Sequence, residues 1–389
     1  MMPMEIASGI YDVGATDWIV RDFHGYKTER GASYNSYLIV DEKICLIDTV
    51  KACYADELLE KIRRVADPAK IDYVVVNHVE PDHAGALPEV LKAAPNAKFV
   101  ITMQGKNEAL RHYGDGFDFM VVKEGDKISL GSRELTFVPM PMLHWPDNMV
   151  TYCPQDGILF SNDAFGQHYA SSKRFDDEVD EYVLFYEAKK YFANILWPYA
   201  RLIGGALKKA SALDIKMIAP AHGVIWRSKI AQILEKYAAW GTGVNGKSVV
   251  IAYDTMWGGT EALARAMVEG AAAAGVKVQL MRMDRTPCST VAAELFEAGG
   301  LLVGSPTLNS GMMPTIGGML VYLKGLQPKG KKAAAFGTCG WAGGAQKDME
   351  AMLTAGGFDL QPGFNCKWRA CVDETEAARQ FAYEFAKNL

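Results

Sequence analysis

The rhythm of apolar and polar positions changes near residue 245. Before it, short apolar runs are broken every few residues by turn formers, a pattern of strands and short helices. Residues 34–40 and 44–49 flank Asp41-Glu42-Lys43 and predict a hairpin. Residues 54–65 predict a helix, and the apolar run 71–76 has the length of a buried strand. A helix at 83–93, a strand at 97–102 and a helix at 105–113 follow. Turn-punctuated strands come next: 119–122 paired with 127–130, then 134–139, then 149–153 paired with 158–161. Residues 181–212 read as helix broken at Pro198, 215–219 as strand and 229–240 as helix.

Gly241-Thr-Gly-Val-Asn-Gly246 punctuates the chain. Beyond it, strands (249–253, 276–281, 301–304, 333–337) alternate with helices (261–274, 291–298, 316–323, 347–355), and a helix at 374–387 closes the chain. Strict alternation of this kind predicts a doubly wound parallel sheet. The expected domains are therefore 1–245 and 246–389.

Composition narrows the classes. With 389 residues, two domains are the default expectation. Hydrophobic residues at 49% and charged residues at 22% describe a globular chain. A net charge of −5 argues against a nucleic-acid protein, while leaving room for a local basic patch. Cys45, Cys53, Cys153, Cys288, Cys339, Cys366 and Cys371 contain no C-x-x-C pair. That pattern points to reduced thiols in a cytoplasmic protein rather than a disulfide framework, a zinc ribbon or a fused rubredoxin-type iron site. No signal peptide and no membrane span are expected.

The richest chemistry lies in Asn77-His78-Val79-Glu80-Pro81-Asp82-His83, directly after the buried strand. Residues two apart in extended chain point to one side, so His78, Glu80 and Asp82 can project together, with His83 alongside. Carboxylates desolvated without a partner cost several kcal/mol each, so this run calls for a cation. His144, Asp163 and His222 each follow a further apolar strand. Imidazoles and carboxylates without thiolate suit iron, zinc or manganese, and their number exceeds what one tetrahedral zinc takes. Two metals sharing a carboxylate fit better.

The run H-x-E-x-D-H resembles the H-x-H-x-D-H of metallo-β-lactamase-fold hydrolases. Glutamate in place of the second histidine makes the site harder and favours iron; it is the mark of flavodiiron proteins. Arg21-Asp-Phe-His-Gly-Tyr26, Leu143-His144-Trp145-Pro146-Asp147, Ser161-Asn162-Asp163 and Ala221-His222-Gly223-Val224 strengthen the resemblance, which extends over both halves. It implies an α/β architecture: a metallo-β-lactamase-like αββα sandwich followed by a flavodoxin-like sheet. It implies His78, Glu80 and His144 on one iron, Asp82 and His222 on the other, and Asp163 between them. The residue matching His83 binds iron in some relatives and turns away in others. His24 and Tyr191 are pocket candidates, lining it or relaying protons, with plain packing as the alternative; His112 and His168 read as structural or exposed.

In the second half, Asp254-Thr255-Met256-Trp257-Gly258-Gly259-Thr260 joins a strand to a helix. Backbone N–H groups at such a turn suit a phosphate. It is neither G-x-G-x-x-G nor a P-loop. Gly304-Ser305-Pro306-Thr307-Leu308-Asn309 and Gly337-Thr338-Cys339-Gly340-Trp341-Ala342-Gly343 are two more strand-end loops, where doubly wound sheets bind ligands. The half resembles short-chain flavodoxin, with FMN held by the three loops and Trp257 and Trp341 flanking its ring. Gly258-Gly259 departs from the polar residues usual there, leaving backbone donors for the phosphate.

The resemblance implies an oxidoreductase with a non-haem di-iron centre and FMN, reducing dioxygen to water or nitric oxide to nitrous oxide. It implies a separate rubredoxin-like donor and a head-to-tail homodimer, or a dimer of dimers, that brings one subunit's flavin to the other's iron. Two rivals stand beside it: a zinc hydrolase with an appended flavodoxin domain, and an electron carrier whose first domain is inert.

Overall fold

The computed structural model describes residues 2–389. Two compact units form. The first comprises the chain up to Arg21, Thr28–Tyr191 and Arg201–Ala238; the second comprises Asp22–Lys27, Phe192–Ala200 and Ala239–Leu389. Among the described residues, no helix is long and apolar enough to cross a membrane.

Two large sheets build the first unit, one of seven strands and one of five, beside a two-stranded ladder of Ala15–Asp17 with Ala32–Tyr34. In the larger, the hairpin Tyr37–Val40 and Ile44–Ile47 is antiparallel. Ile71–Val75, Lys98–Ile101 and Asp118–Val121 then add in parallel. The period of two along these strands decides the layering. Leu46, Val74 and Phe99 face one way and pack with Leu58, Ile62, Leu87 and Val90 of the helices Ala55–Arg63 and Leu87–Ala93. Ile47, Val75 and Val100 face the other way and pack with Leu135, Phe137, Phe160 and Ala219 of the five-stranded sheet. Each such side chain contributes about 1.5–3 kcal/mol on burial. The outer face of the second sheet carries Val150, Tyr152 and Leu159 under Leu213 and Ile215, which lie just after the helix Ile203–Ala210. The unit is thus an αββα sandwich.

Three details differ from the sequence expectations. Asp118–Val121 does not pair with Lys127–Ser129; it edges the larger sheet, while Lys127–Ser129 pairs Glu134–Pro139 and opens the smaller one. The turn between them therefore passes from one layer to the other, which local turn chemistry does not reveal. The predicted helix at 83–93 is two pieces, Pro81–Ala84 and Leu87–Ala93. Short N-terminal strands Met4–Ala7, Ile10–Asp12 and Ala15–Asp17 lie in a stretch too polar to announce them.

The second unit is a doubly wound sheet. Lys277–Arg282, Gly246–Tyr253, Ala298–Pro306 and Lys332–Cys339 lie side by side in that order, all parallel. Phe364–Lys367, absent from the sequence expectation, pairs with the end of Lys332–Cys339. Helices cover both faces: Cys288–Glu297 and Pro314–Leu326 bury Val291, Leu295, Ile316 and Leu320 on one. Gly259–Ala273 and Val372–Lys387 bury Leu263, Met267, Ala378 and Ala382 on the other.

Candidate metal centre and flavin cavity

Four strands of the first unit end at one place. Ile71–Val75 leads to His78, Glu134–Pro139 to His144, Ile158–Asn162 to Asp163, and Met217–Pro220 to His222. The extended alternation stops at Glu80, where the helical turn Pro81–Ala84 begins and carries Asp82 and His83 inward. So all seven candidate ligands converge, though not by alternation alone. His78, Asp82, His83, Asp163 and His222 are buried.

Asp163 sits between two clusters. Its Oδ2 lies 3.5 Å from His144 Nε2 and 3.7 Å from His78 Nε2. Glu80 Oε2 completes that side, 3.2 Å from His78 Nε2 and 3.3 Å from His144 Nε2. Asp163 Oδ1 faces the other side, 3.1 Å from His83 Nε2 and 3.5 Å from His222 Nε2. There Asp82 Oδ2 is 3.2 Å from His222 Nε2, and Asp82 Oδ1 is 3.4 Å from His83 Nε2. His83 is thus turned into the cluster.

The surroundings aim these atoms. His78 Nδ1 donates to both Asp147 oxygens at 3.0 Å, and Val79 N donates to Asp147 at 2.7 Å. His222 Nδ1 donates to the Ser33 carbonyl at 2.6 Å. Each ring's Nε2 is left for the cluster, the arrangement that metal-binding histidines show. Gly223, at φ +80°, follows His222; a Cβ there would lie 2.1 Å from Gln167 Oε1, so only glycine lets the chain turn. Asp48 ties two of the loops together, accepting from Asn77 N at 2.7 Å and from Asn162 Nδ2 at 3.3 Å. Tyr191 Oη donates to Asp163 Oδ1 at 2.7 Å.

The electrostatics test whether cations fit. Burial alone would lift the pKa of Glu80, yet His144 and His78 hold it down at about 2. Burial alone would depress the imidazoles, yet Asp163 and Glu80 hold His144 up at about 9, and Asp163 and Asp82 hold His222 up at about 10. Asp82 Oδ1, Asp163 Oδ2 and both nitrogens of His83 are buried without a hydrogen-bond partner. Carboxylates that demand positive charge, and inward lone pairs that nothing else satisfies, fit a pair of metal ions. His78, His144 and Asp163 form one group compact enough to hold an ion, and Asp82, His83 and His222 another.

His24 is exposed on Asp22–Lys27, a segment of the second unit, with its ring 4.6 Å from Phe23. His112 is exposed. His168 is buried, with its ring 5.1 Å from Tyr191 and 5.0 Å from His222. Asp147 and Asp48 were not foreseen as site residues. Asp147 stands inside the quoted Leu143–Asp147 motif; nothing in the sequence singles out Asp48.

In the second unit the three predicted loops border one cavity of about 440 Å³. Thr255, Met256, Trp257 and Gly259 line it from the first loop; Pro306, Thr307, Leu308 and Asn309 line it from the second. Thr338, Cys339, Gly340, Trp341 and Ala342 line it from the third. Gly258, Thr260, Ser305 and Gly343 belong to the same loops but are not among the lining residues. Thr260 is packed behind it, Oγ1 3.2 Å from Thr338 Oγ1, and Ser305 Oγ accepts from Met313 N at 2.9 Å. Ser310 and Trp368 complete the lining and were not anticipated. The size suits a cofactor, and the position is the carboxyl edge of the parallel strands.

A β-lactamase-like sandwich with a bimetallic ligand set, joined to a flavodoxin-like sheet, defines the class of metalloflavoprotein oxidoreductases. A model of ODP family β-lactamases matches residues 32–223, and a flavodoxin model matches 251–381. A nitric oxide reductase of Moorella thermoacetica is 46% identical over all of this chain and 99% of its own. An anaerobic nitric oxide reductase flavorubredoxin of Klebsiella pneumoniae is 41% identical over all of this chain and 82% of its own. The flavodiiron protein of Giardia intestinalis superposes with a TM-score of 0.98 at 38% identity, covering all of this chain and 96% of that one. The rubredoxin oxygen:oxidoreductase of Desulfovibrio gigas does so at 0.96 and 39%, covering all of this chain and 98% of that one. The chain belongs to the flavodiiron protein family, and its cofactors are a di-iron centre and FMN.

Proposed function

We propose that this chain reduces nitric oxide to nitrous oxide and takes dioxygen, reduced to water, as a second substrate. The single observation that carries the reading is the division of Asp163 between two groups of imidazole and carboxylate. We assign His78, Glu80 and His144 to one iron, Asp82, His83 and His222 to the other, and Asp163 to both. The lining residues of the second-unit cavity hold FMN. When bound, the iron pair and the flavin supply electron transfer to a diatomic gas. The chain's own part is to fix the ligands through Asp147 and Ser33 and to keep a proton at Tyr191 Oη beside Asp163. Burial of the cluster excludes bulk water.

The preference for nitric oxide is supported by the names of the Moorella and Klebsiella relatives, and dioxygen by that of the Desulfovibrio structure. The same Desulfovibrio name supports a rubredoxin-like donor. The two model matches, at 32–223 and 251–381, support a division of labour between 1–245 and 246–389, and the head-to-tail homodimer is carried over from the family resemblance alone. Seven free thiols suit the cytoplasm. Anaerobic assays with reduced rubredoxin and each gas in turn test the reading. Consumption of nitric oxide lost in Asp163→Ala, with FMN retained, is the expected result. Unchanged consumption in that variant would overturn it.

A further inference from the structure

We infer that Trp368 is a wall of the flavin site, in face contact with the isoalloxazine ring. The inference rests on FMN occupying the cavity between the three loops. Trp368 follows Phe364–Lys367, the strand that sequence reasoning did not foresee, and so brings a fourth segment to a site described by three.

Several contacts hold it there. Trp368 N donates to the Cys339 carbonyl at 2.8 Å. The preceding Lys367 reaches over the third loop and donates from Nζ to the Gly340 carbonyl at 3.0 Å. The indole lies over Gly340, where a Cβ would come 2.8 Å from its Cη2. Its carbonyl oxygen crowds Gly259, where a Cβ would lie 2.9 Å away. Glycines in the first and third loops thus leave the space that Trp368 fills. Its backbone is left-handed at φ 54°, a conformation that costs a bulky residue free energy.

This large apolar residue nonetheless remains 65% exposed and lines the cavity. Trp341 leans against it, ring centroids 5.7 Å apart at 48°. Trp257 and Trp341 are 95% and 86% exposed, so Trp368 is the most enclosed of the three tryptophans at the cavity. A large, exposed indole held by its backbone at the lining of the cavity is suited to receive a flat conjugated ring.

The test uses the full-length chain and Trp368→Phe, Trp368→Ala, Gly340→Ala and Trp257→Phe variants. FMN content and iron content are read first, then the fluorescence yield of bound FMN and its Kd. Indole in contact quenches flavin emission by electron transfer and phenyl does not. Trp368→Phe is therefore expected to keep FMN and to brighten it several-fold, while Trp257→Phe changes it less. Trp368→Ala is expected to raise the Kd for FMN roughly tenfold, the loss of one stacking contact. Gly340→Ala, which displaces the indole without altering its chemistry, is expected to brighten bound FMN as well. A Trp368→Phe protein whose bound FMN is as dim and as tightly held as in the unaltered chain overturns the inference. An unaltered chain that binds no FMN overturns the reading of the cavity instead. Loss of FMN from Trp368→Phe with iron retained still supports the contact.

Discussion

Tyr191 Oη donates to Asp163 Oδ1 across 2.7 Å, so the carboxylate shared by both halves of the cluster has one oxygen anchored to a helix. Burial, with Asp163 next to it, holds the phenol well above its ordinary pKa, and the hydroxyl stays a donor throughout the working range. Tyr191→Phe removes that donor and almost no volume. We expect iron content near that of the unaltered chain and turnover lower by about tenfold, the usual cost of losing an outer-shell partner. Elemental analysis beside steady-state gas consumption checks this. A parallel fall of iron and activity would give the hydroxyl a part in metal retention instead.

Asp147 fixes the other side. Its two oxygens both receive His78 Nδ1, and one also receives Val79 N. Asp147→Asn keeps the shape and loses the charge that makes His78 a strong ligand. The expected result is iron affinity weaker by roughly 10–100-fold, read by competition with a coloured chelator. An unchanged affinity would show that ring orientation, which asparagine can preserve, is the whole of its contribution.

These two residues also mark what the sequence could and could not convey. The run from His78 to His83 was legible because its residue types make no sense buried together without a cation. The pairing of Asp163 with Tyr191 was not, since 28 positions separate them and only the tertiary fold closes the gap. The alternating half was read nearly strand for strand, because 249–253, 301–304 and 333–337 are continuous apolar runs. Phe364–Lys367 escaped because Asn365 and Lys367 interrupt its apolar pattern at an edge of the sheet, and Trp368 escaped with it. The mispairing of 119–122 with 127–130 has the same origin as any layer crossing. A turn looks alike whether its strands share a sheet or part company.

Glu187 makes the stability of the first unit depend on pH. It is 3% exposed, with Arg30 Nε 3.3 Å away. Burial lifts its pKa from 4.5 to about 7, and Lys190 and Arg30 only partly oppose this. The folded carboxyl thus holds its proton more tightly than the unfolded one. Stability from this group is fully present below pH 4.5, falls as pH rises and is lost by about pH 7. The span is up to about 3 kcal/mol. Glu187→Gln is expected to flatten that slope in denaturant titrations between pH 4.5 and 7; an identical slope would remove Glu187 from the account.

Metal removal should act on one unit. Glu80, Asp82 and Asp163 crowd one buried site, and bound cations offset their repulsion in the folded state only. A ligand present at a thousand times its Kd stabilises by about 4 kcal/mol, worth on the order of 10 °C in the midpoint of a unit this large. The second unit has its own cores on both faces of its sheet and no part in this cluster. Calorimetry of chelator-treated protein is therefore expected to show the first unit's transition moving down by about that amount while the flavin-binding unit's stays in place. Flavin release, followed by its fluorescence, identifies which transition is which. If both transitions shift together, the cations stabilise more than the sandwich that surrounds them.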